Sequence, residues 1–549
     1  MNILDLSLRN WGVLIIVNLI ISLLLFFGWK IKGMIIKVVF FILALVSFGI
    51  CYKIFPYWRP ILLWVFLPSM IISLLIYLFT FQKKPNPIWD VEIPTSRGKK
   101  FIRGIQRGVS VFGAAGSGKT ISIILPILKH FANKDFAGVI YDFKDGELTE
   151  LAIPLFGDKL KIIAIHNPSI SWQVNPISTK FLNGEKDINE VVTVIMDNLI
   201  KNGVGKGDDF FKDSASSLLS SVILKFWFDH PTYCTIPHVI SFILGLDFSL
   251  SEDPSAKPSY NLSDQAQNKF SKLKKFLTTN DRVAIQGSAF IMGLASEKQT
   301  AAVLSTLANA LRKISFPEAF WVLSENNLDL DVNSPENRSV ISVINEPKSS
   351  QFLSPINAMI IHSITKQMMV PNREQSFLLL DEAPTIRLLN MAQIPATMRS
   401  FGVAVVYCAQ DIVQGIVQYG RDGFKEILAN LSTQFFGKSN DPDTSKFYES
   451  YFELITIKTK STSQKGDIFS SGGQTISTGE KEVSKFRASR FNNLKVGEFA
   501  MLSDGSNDIY QIQTSNIDKN KIKEHRLVTQ QMLNSNFSKI LNEVKLILD

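Results

Sequence analysis

The octapeptide Gly113-Ala114-Ala115-Gly116-Ser117-Gly118-Lys119-Thr120 constrains this chain more than any other stretch, because it has the spacing of a phosphate-binding loop and the flanks such a loop requires. The apolar run 108–112 before it reads as a short buried strand and 121–130 after it as an apolar helix, so the glycines fall at a strand-to-helix turn. Backbone N–H groups at a helix N-terminus can cradle anionic oxygens there, Lys119 can reach the β- and γ-phosphates, and the Thr120 hydroxyl can hold Mg²⁺. The pattern predicts a triphosphate site.

A phosphate loop carries no carboxylate, so a second element must supply one. The run Ser376-Phe377-Leu378-Leu379-Leu380-Asp381-Glu382 has the form of a strand buried in a parallel sheet, with its polar residues at the carboxyl end. Asp381 can bind the water shell of the metal and Glu382 can polarise the attacking water. A further apolar strand, 403–408, ends at Ala409-Gln410, where a polar side chain can sense the γ-phosphate from a neighbouring strand.

Around these motifs the hydrophobic periodicity alternates. Strands are expected at 138–142 and 161–165 with a helical crossover at 148–156, the signature of a doubly wound α/β sheet. From about 185 to 316 the β signal fades and apolar residues recur at helical spacing, which predicts an all-helical insertion. The sheet resumes at 339–344, followed by a helix over 352–369. Between 458 and 490 the chain turns to Ser, Thr, Gly and Lys, with seven Lys/Arg against three Asp/Glu, and reads as a long mobile hairpin or loop. Such a charge balance suits phosphate contact and equally suits a solvated loop. The tail 517–548 alternates charged and apolar residues at helical spacing and is too short for a winged-helix DNA reader.

Of the 549 residues 46% are hydrophobic, more than a soluble motor needs, and the excess lies at the front. The stretches 11–29, 34–55 and 61–81 are each long enough to cross a bilayer, and no small-residue cleavage site follows the first. The basic cluster Lys83, Lys84, Arg97, Lys99, Lys100 and Arg103 favours a cytoplasmic motor after two or three spans; Pro56, Pro60 and Pro68 leave the third stretch open as a broken segment. Cys51, Cys234 and Cys408 fit no metal spacing, and the six histidines form no ligand or nucleophile-base pattern. The net charge of +9 permits a nucleic acid or an anionic membrane surface as partner.

These residues in this order resemble the type IV coupling proteins, the TraG/TraD-like ATPases of conjugation and type IV secretion. The phrases Val139 to Thr149 (VIYDFKDGELT), Asp381 to Ile386 (DEAPTI) and Ala396 to Ser400 (ATMRS) look most like the MobC/TraG-type mobilisation proteins of Bacteroidetes. The resemblance spans about 103–513. It implies a RecA-like P-loop NTPase motor with an inserted all-α domain and N-terminal transmembrane helices. The chain then divides into an anchor (1–84), the first part of the motor (85–184), the all-α insertion (185–318), the second part of the motor (319–516) and a helical tail (517–549).

The resemblance also implies ATP and Mg²⁺ as cofactors and a homo-hexamer in the bacterial inner membrane. Its expected partners are single-stranded DNA with a relaxase, and the type IV secretion channel proteins. Lys119 and Thr120 take the phosphate and Mg²⁺ roles, and Asp381 and Glu382 the carboxylate roles. Arg399 matches an arginine that reaches the neighbouring subunit's γ-phosphate, Gln410 a glutamine that completes the site, and Arg107 a further basic residue near the nucleotide. Ala383-Pro384 departs from the bulkier aromatic residue that many members carry after Asp-Glu. Two other readings share the motifs: a membrane-anchored DNA translocase of the FtsK type, against which stands the lack of a C-terminal DNA-reading domain, and a nucleotide-binding receptor platform without turnover.

Overall fold

The computed structural model describes residues 67–81, 86–200, 208–248, 273–464, 474–504, 506–514 and 517–548, with a few isolated positions before 67. The chain forms two units, Met1–Asn86 and Pro87–Asp549. In the first, the described element is one helix, Leu67–Phe81, of 15 residues. The expected spans 11–29 and 34–55 lie almost wholly outside the described residues, as does the first part of 61–81. Among the described residues, no helix is long and apolar enough to cross a membrane.

The second unit is built on a nine-stranded mixed sheet whose strands we number in chain order: β1 Val109–Phe112, β2 Ala137–Asp142, β3 Leu160–Ala164, β4 Val340–Ile344, β5 Ser376–Leu380, β6 Val403–Ala409, β7 Thr433–Phe436, β8 Glu498–Ser503 and β9 Ser506–Gln511. The spatial order is β9-β8-β7-β1-β6-β5-β2-β4-β3. Seven strands from β7 to β3 run parallel, and β8 and β9 close one edge antiparallel. The parallel strands are continuous apolar runs because both faces are covered. Alternate residues enter different cores. Val111, Leu379 and Val406 pack with Ile124, Leu128 and Phe131 on one face, while Phe112, Leu380 and Tyr407 pack with Val191 and Ile360 on the other.

Between β3 and Asn333 the described residues hold helices and no strand: Glu185–Leu199, Asp208–Asp229, Ile236–Phe248, Asp281–Gln286, Ser288–Gly293, Glu297–Arg312 and Pro317–Leu323 are the principal ones. Helix Glu185–Leu199 joins this layer to the helix Ser350–Met368 that precedes β5. There Lys366 pairs with Glu190 and, at 3.2 Å, with Asp187. The polar interval read as a hairpin or loop is largely an antiparallel hairpin, Leu454–Gln464 with Gln474–Ser484, and 465–473 lie outside the described residues. The tail ends in the helix Gln530–Leu548, docked on the helical layer through Phe537 against Phe320, with ring centroids 4.5 Å apart.

Candidate active site

The strand order brings together at one end of the sheet what the sequence separates by almost three hundred residues. Strand β6 lies between β1 and β5, with Ala409 opposite Phe112 and Tyr407 opposite Leu380. The loop after β1, the carboxylates after β5 and Gln410 after β6 therefore open on the same crevice, at the carboxyl ends where ligands bind in open α/β sheets.

The loop is shaped by its glycines. Gly116 and Gly118 have φ of +74° and +92°, a region in which a side chain is strained, and a Cβ on Gly118 would meet the Gly497 nitrogen at 3.1 Å. The loop is pinned from two sides. Ala114 N–H donates to the Lys438 carbonyl at 2.7 Å, and Gly497 N–H donates to the Ser117 carbonyl at 2.9 Å. Its amides are thus held before any anion arrives. The helix begins with one π turn, Thr120–Ile124, in which Leu125 N–H reaches back to the Thr120 carbonyl, and continues as Leu125–Asn133. Such single π turns recur at functional sites. Thr120 is half-buried and is the first residue of that turn.

Lys119 is 5% exposed; its ammonium donates to the Gly113 carbonyl and lies 3.8 Å from Glu382 Oε1. Burial pushes its pKa down, with the Glu382 carboxylate opposing. Asp381 and Glu382 are 3% and 1% exposed. Burial pushes the Asp381 carboxyl up to about 7 despite Lys144, with Glu382 and Asp142 adding to the shift. Glu382 has φ of +56°, uncommon for a residue other than glycine, and opens the tight turn Ala383–Thr385.

Asp381 Oδ1, Glu382 Oε1 and Ser117 Oγ are buried without a hydrogen-bond partner among the described residues. Orphaned acceptors of this kind are costly unless a bound species completes them. A hydrated divalent cation with a polyphosphate fits these atoms. The Thr120 hydroxyl and the Asp381 carboxylate, with phosphate oxygens and waters, would make the kind of shell that Mg²⁺ takes.

Gln410 is half-buried at the end of β6, directly between the phosphate loop and the carboxylate pair. Arg399 is elsewhere. It is exposed, ends the helix Ile394–Arg399 and turns through Gly402 N–H bonded to its own carbonyl into the amino end of β6. Arg107 lies at that same end, two residues before β1, with its guanidinium 2.7 Å from Asp504. Neither arginine stands at the phosphate loop of its own chain.

Sequence reading gave Lys144 no role. It is half-buried two residues after β2, the strand beside β5, and its charge opposes the shift of Asp381 more than any other. A lysine just past a strand whose neighbour ends in the carboxylate pair was the available signal.

A sequence comparison with curated proteins gives no match. Among solved structures, the chain is similar to the unbound bacterial conjugative coupling protein TrwBdeltaN70, with a TM-score of 0.55, 14% identity, and coverage of 79% of this chain and 89% of that one. It is likewise similar to plasmid coupling protein TrwB in complex with ADP and Mg²⁺, with TM-score 0.53, 14% identity, and 76% and 88% coverage. For TrwB in complex with the ATP analogue ADPNP the values are 0.55, 14%, 76% and 87%. At this identity the likeness speaks for the fold, a mixed α/β sheet. Residues 80–488, carrying the phosphate loop, the carboxylate pair, Arg399 and Gln410, match the model of the family described as type IV secretory system conjugative DNA transfer, and the chain belongs to that family.

Proposed function

We propose that the chain is a membrane-anchored, RecA-like motor of six identical subunits, which couples ATP hydrolysis to recruiting and passing a DNA strand through a type IV secretion apparatus. The observation that carries the reading is the convergence of Lys119, Asp381, Glu382 and Gln410 on one crevice, with two buried carboxylate oxygens left for a cation and water. Family membership and the nucleotide complexes of TrwB support it. The apolar stretches before residue 84 support anchoring in an inner membrane, with the motor in the cytoplasm. A relaxase bound to the strand and the channel proteins are the partners that follow from the family.

The residues divide the work as follows. Amides 113–120 and Lys119 hold the β- and γ-phosphates, Thr120 and Asp381 hold Mg²⁺, and Glu382 orients the attacking water. The cation supplies neutralisation of phosphate charge when bound. Gln410 stands where a γ-phosphate is present or absent, so β6 registers the state of the site. Arg399, at the opposite end of the sheet, serves the neighbouring subunit. The helices between β3 and β4 form the insertion, 185–318, and basic loops around a central pore grip phosphates without reading bases.

Phosphate release by the full chain in lipid nanodiscs, with and without single-stranded DNA, tests the reading. Lys119→Ala should abolish turnover, and Glu382→Gln should bind ATP and stall. Turnover close to wild type in either variant overturns the assignment. A wild-type chain that binds ATP tightly yet releases no phosphate with DNA favours the receptor platform instead.

A further inference from the structure

The Glu382 backbone, in its left-handed conformation, is hydrogen-bonded through Thr385 to groups to which the sequence motifs gave no role. Tyr141, on β2, and Asn345, just after β4, are both fully buried; Thr385 closes the turn that Glu382 opens. Thr385 Oγ1 lies 2.7 Å from the Glu382 carbonyl and 2.8 Å from Tyr141 Oη, which in turn lies 2.8 Å from Asn345 Nδ2.

The direction of every proton in this chain follows from its last acceptor. A carbonyl oxygen only accepts, so the Thr385 hydroxyl proton belongs to Glu382. The bond between Thr385 and Tyr141 must then be donated by Tyr141, and Tyr141 must accept from the Asn345 amide. The Asn345 amide also donates to Ser354 Oγ at 3.0 Å, and its own backbone N–H donates to the Asp142 carbonyl at 2.7 Å. The relay is therefore anchored on β2 and β4, two rigid parallel strands. Burial pushes the Tyr141 phenol up to about 12, which keeps its proton in place. Hydrogen bonds in series in a dry interior strengthen one another.

We propose that Tyr141 and Thr385 are positioning residues for hydrolysis: the one-way relay Asn345, Tyr141, Thr385 fixes the Glu382 main chain, and through it the carboxylate that orients water. The proposal rests on the ATPase reading given above. The two side chains bond to each other, to Glu382 and to Asn345, and neither to the loop 113–120, so binding and turnover should separate. An isosteric loss of the hydroxyl, Thr385→Val, removes the side-chain bond while filling the same volume and leaving the Thr385 backbone N–H on the Glu382 carbonyl at 3.0 Å; Thr385→Ser keeps the donor and gives up a methyl. Tyr141→Phe removes only an oxygen.

The test is steady-state turnover and nucleotide affinity of the full chain in nanodiscs, with thermal melting as the control. Thr385→Val and Tyr141→Phe should each lower kcat by about tenfold, the scale of one lost buried hydrogen bond, with ATP affinity within about twofold of wild type. Thr385→Ser should retain most of the turnover. Adding Thr385→Val to Glu382→Gln should cost nothing further, because the hydroxyl acts through the side chain already disabled. Wild-type kcat in both Thr385→Val and Tyr141→Phe, or equal losses in Thr385→Val and Thr385→Ser, overturns the proposal. Should Thr385→Val fail to fold, Tyr141→Phe alone decides. If Glu382→Gln is inert while the relay variants are unaffected, the inference fails and the ATPase reading stands; if Glu382→Gln itself turns over, the underlying reading fails.

Discussion

Replacing Arg399 by Ala should bind nucleotide normally and lose hydrolysis, and the loss should be repairable by a second dead chain. Strand β6 carries Val403 at its amino end and Ala409 against the start of the phosphate loop, so Arg399 and its own site are separated by six strand steps, roughly 20 Å. No arginine side chain spans that distance, and Arg399 therefore acts between subunits or not at all. A finger supplied in trans contributes about 10³-fold or more to phosphoryl transfer, so Arg399→Ala should fall by at least that factor in kcat with unchanged ATP affinity. An Arg399→Ala subunit keeps its phosphate loop, and a Lys119→Ala subunit keeps its finger. In an equimolar mixed ring, about a quarter of interfaces pair the two good halves, so turnover should rise from near zero toward about a quarter of wild type, and less if sites fire in sequence. The assay is phosphate release from co-purified mixed rings carrying two different tags. Mixed assemblies that remain as dead as either parent, or an Arg399→Ala chain with wild-type turnover, refute the reasoning.

Three further outcomes follow from the packing. A Cβ on Gly138 would lie 2.4 Å from the Phe377 carbonyl oxygen, where β2 and β5 pair, so Gly138→Ala should destabilise the motor by about 1–3 kcal/mol; an unchanged melting temperature would contradict that close approach. Asn198 clamps the Arg387 backbone at both ends, donating to its carbonyl at 2.8 Å and accepting from its N–H at 2.9 Å. Asn198→Ala should therefore speed amide exchange at Arg387 by about tenfold while β5 stays protected, and equal protection in both chains would count against the clamp. His362 and then Lys366 hold the Glu190 carboxyl at about 2, against a usual 4.5. A depressed carboxyl stabilises the fold above its unfolded pKa and loses that contribution as pH falls through the folded one. Glu190 is 35% exposed, which discounts its worth to about 1 kcal/mol. The stability gap between wild type and Glu190→Gln should be full above pH 4.5 and close by about pH 2, as followed by chemical denaturation; a gap independent of pH would assign it to packing.

The parallel core was legible because its strands are unbroken apolar runs bounded by motif residues, as in Val109–Phe112 and Ser376–Leu380. The edge was not. Strand β7, Thr433–Phe436, is four residues long, and β8 and β9 mix Glu, Ser, Asn and Asp with their apolar residues, so neither period stands out. The hairpin Val91–Thr95 with Gly98–Ile102 hid for another reason: a proline and two lysines sit within it, and its second strand does not alternate in exposure. Pairing across a sheet decides such segments, and pairing is a long-range property that a window of ten residues does not contain.

Within the candidate site, sequence supplies the groups suited to phosphate, because their chemistry restricts them to a few residue types at fixed spacing. What supports those groups is not restricted in that way. Tyr141 sits inside a phrase that reads as an ordinary strand, and Thr385 follows Ala383-Pro384 with no chemistry that its spacing marks; only the fold shows that one hydroxyl donates to the other at 2.8 Å. The same holds for Asn198, on the helix Glu185–Leu199, and Arg387, five residues after Glu382, which bond directly at 2.9 Å beside a cleft of about 1080 Å³ that Asn198 lines with Thr385, Asp411 and Val417. The turn after Glu382 is thus tied to β2 on one side and to the helical layer on the other. Any displacement of the Glu382 main chain would reach the helix Glu185–Leu199 through one short turn and the Asn198 side chain.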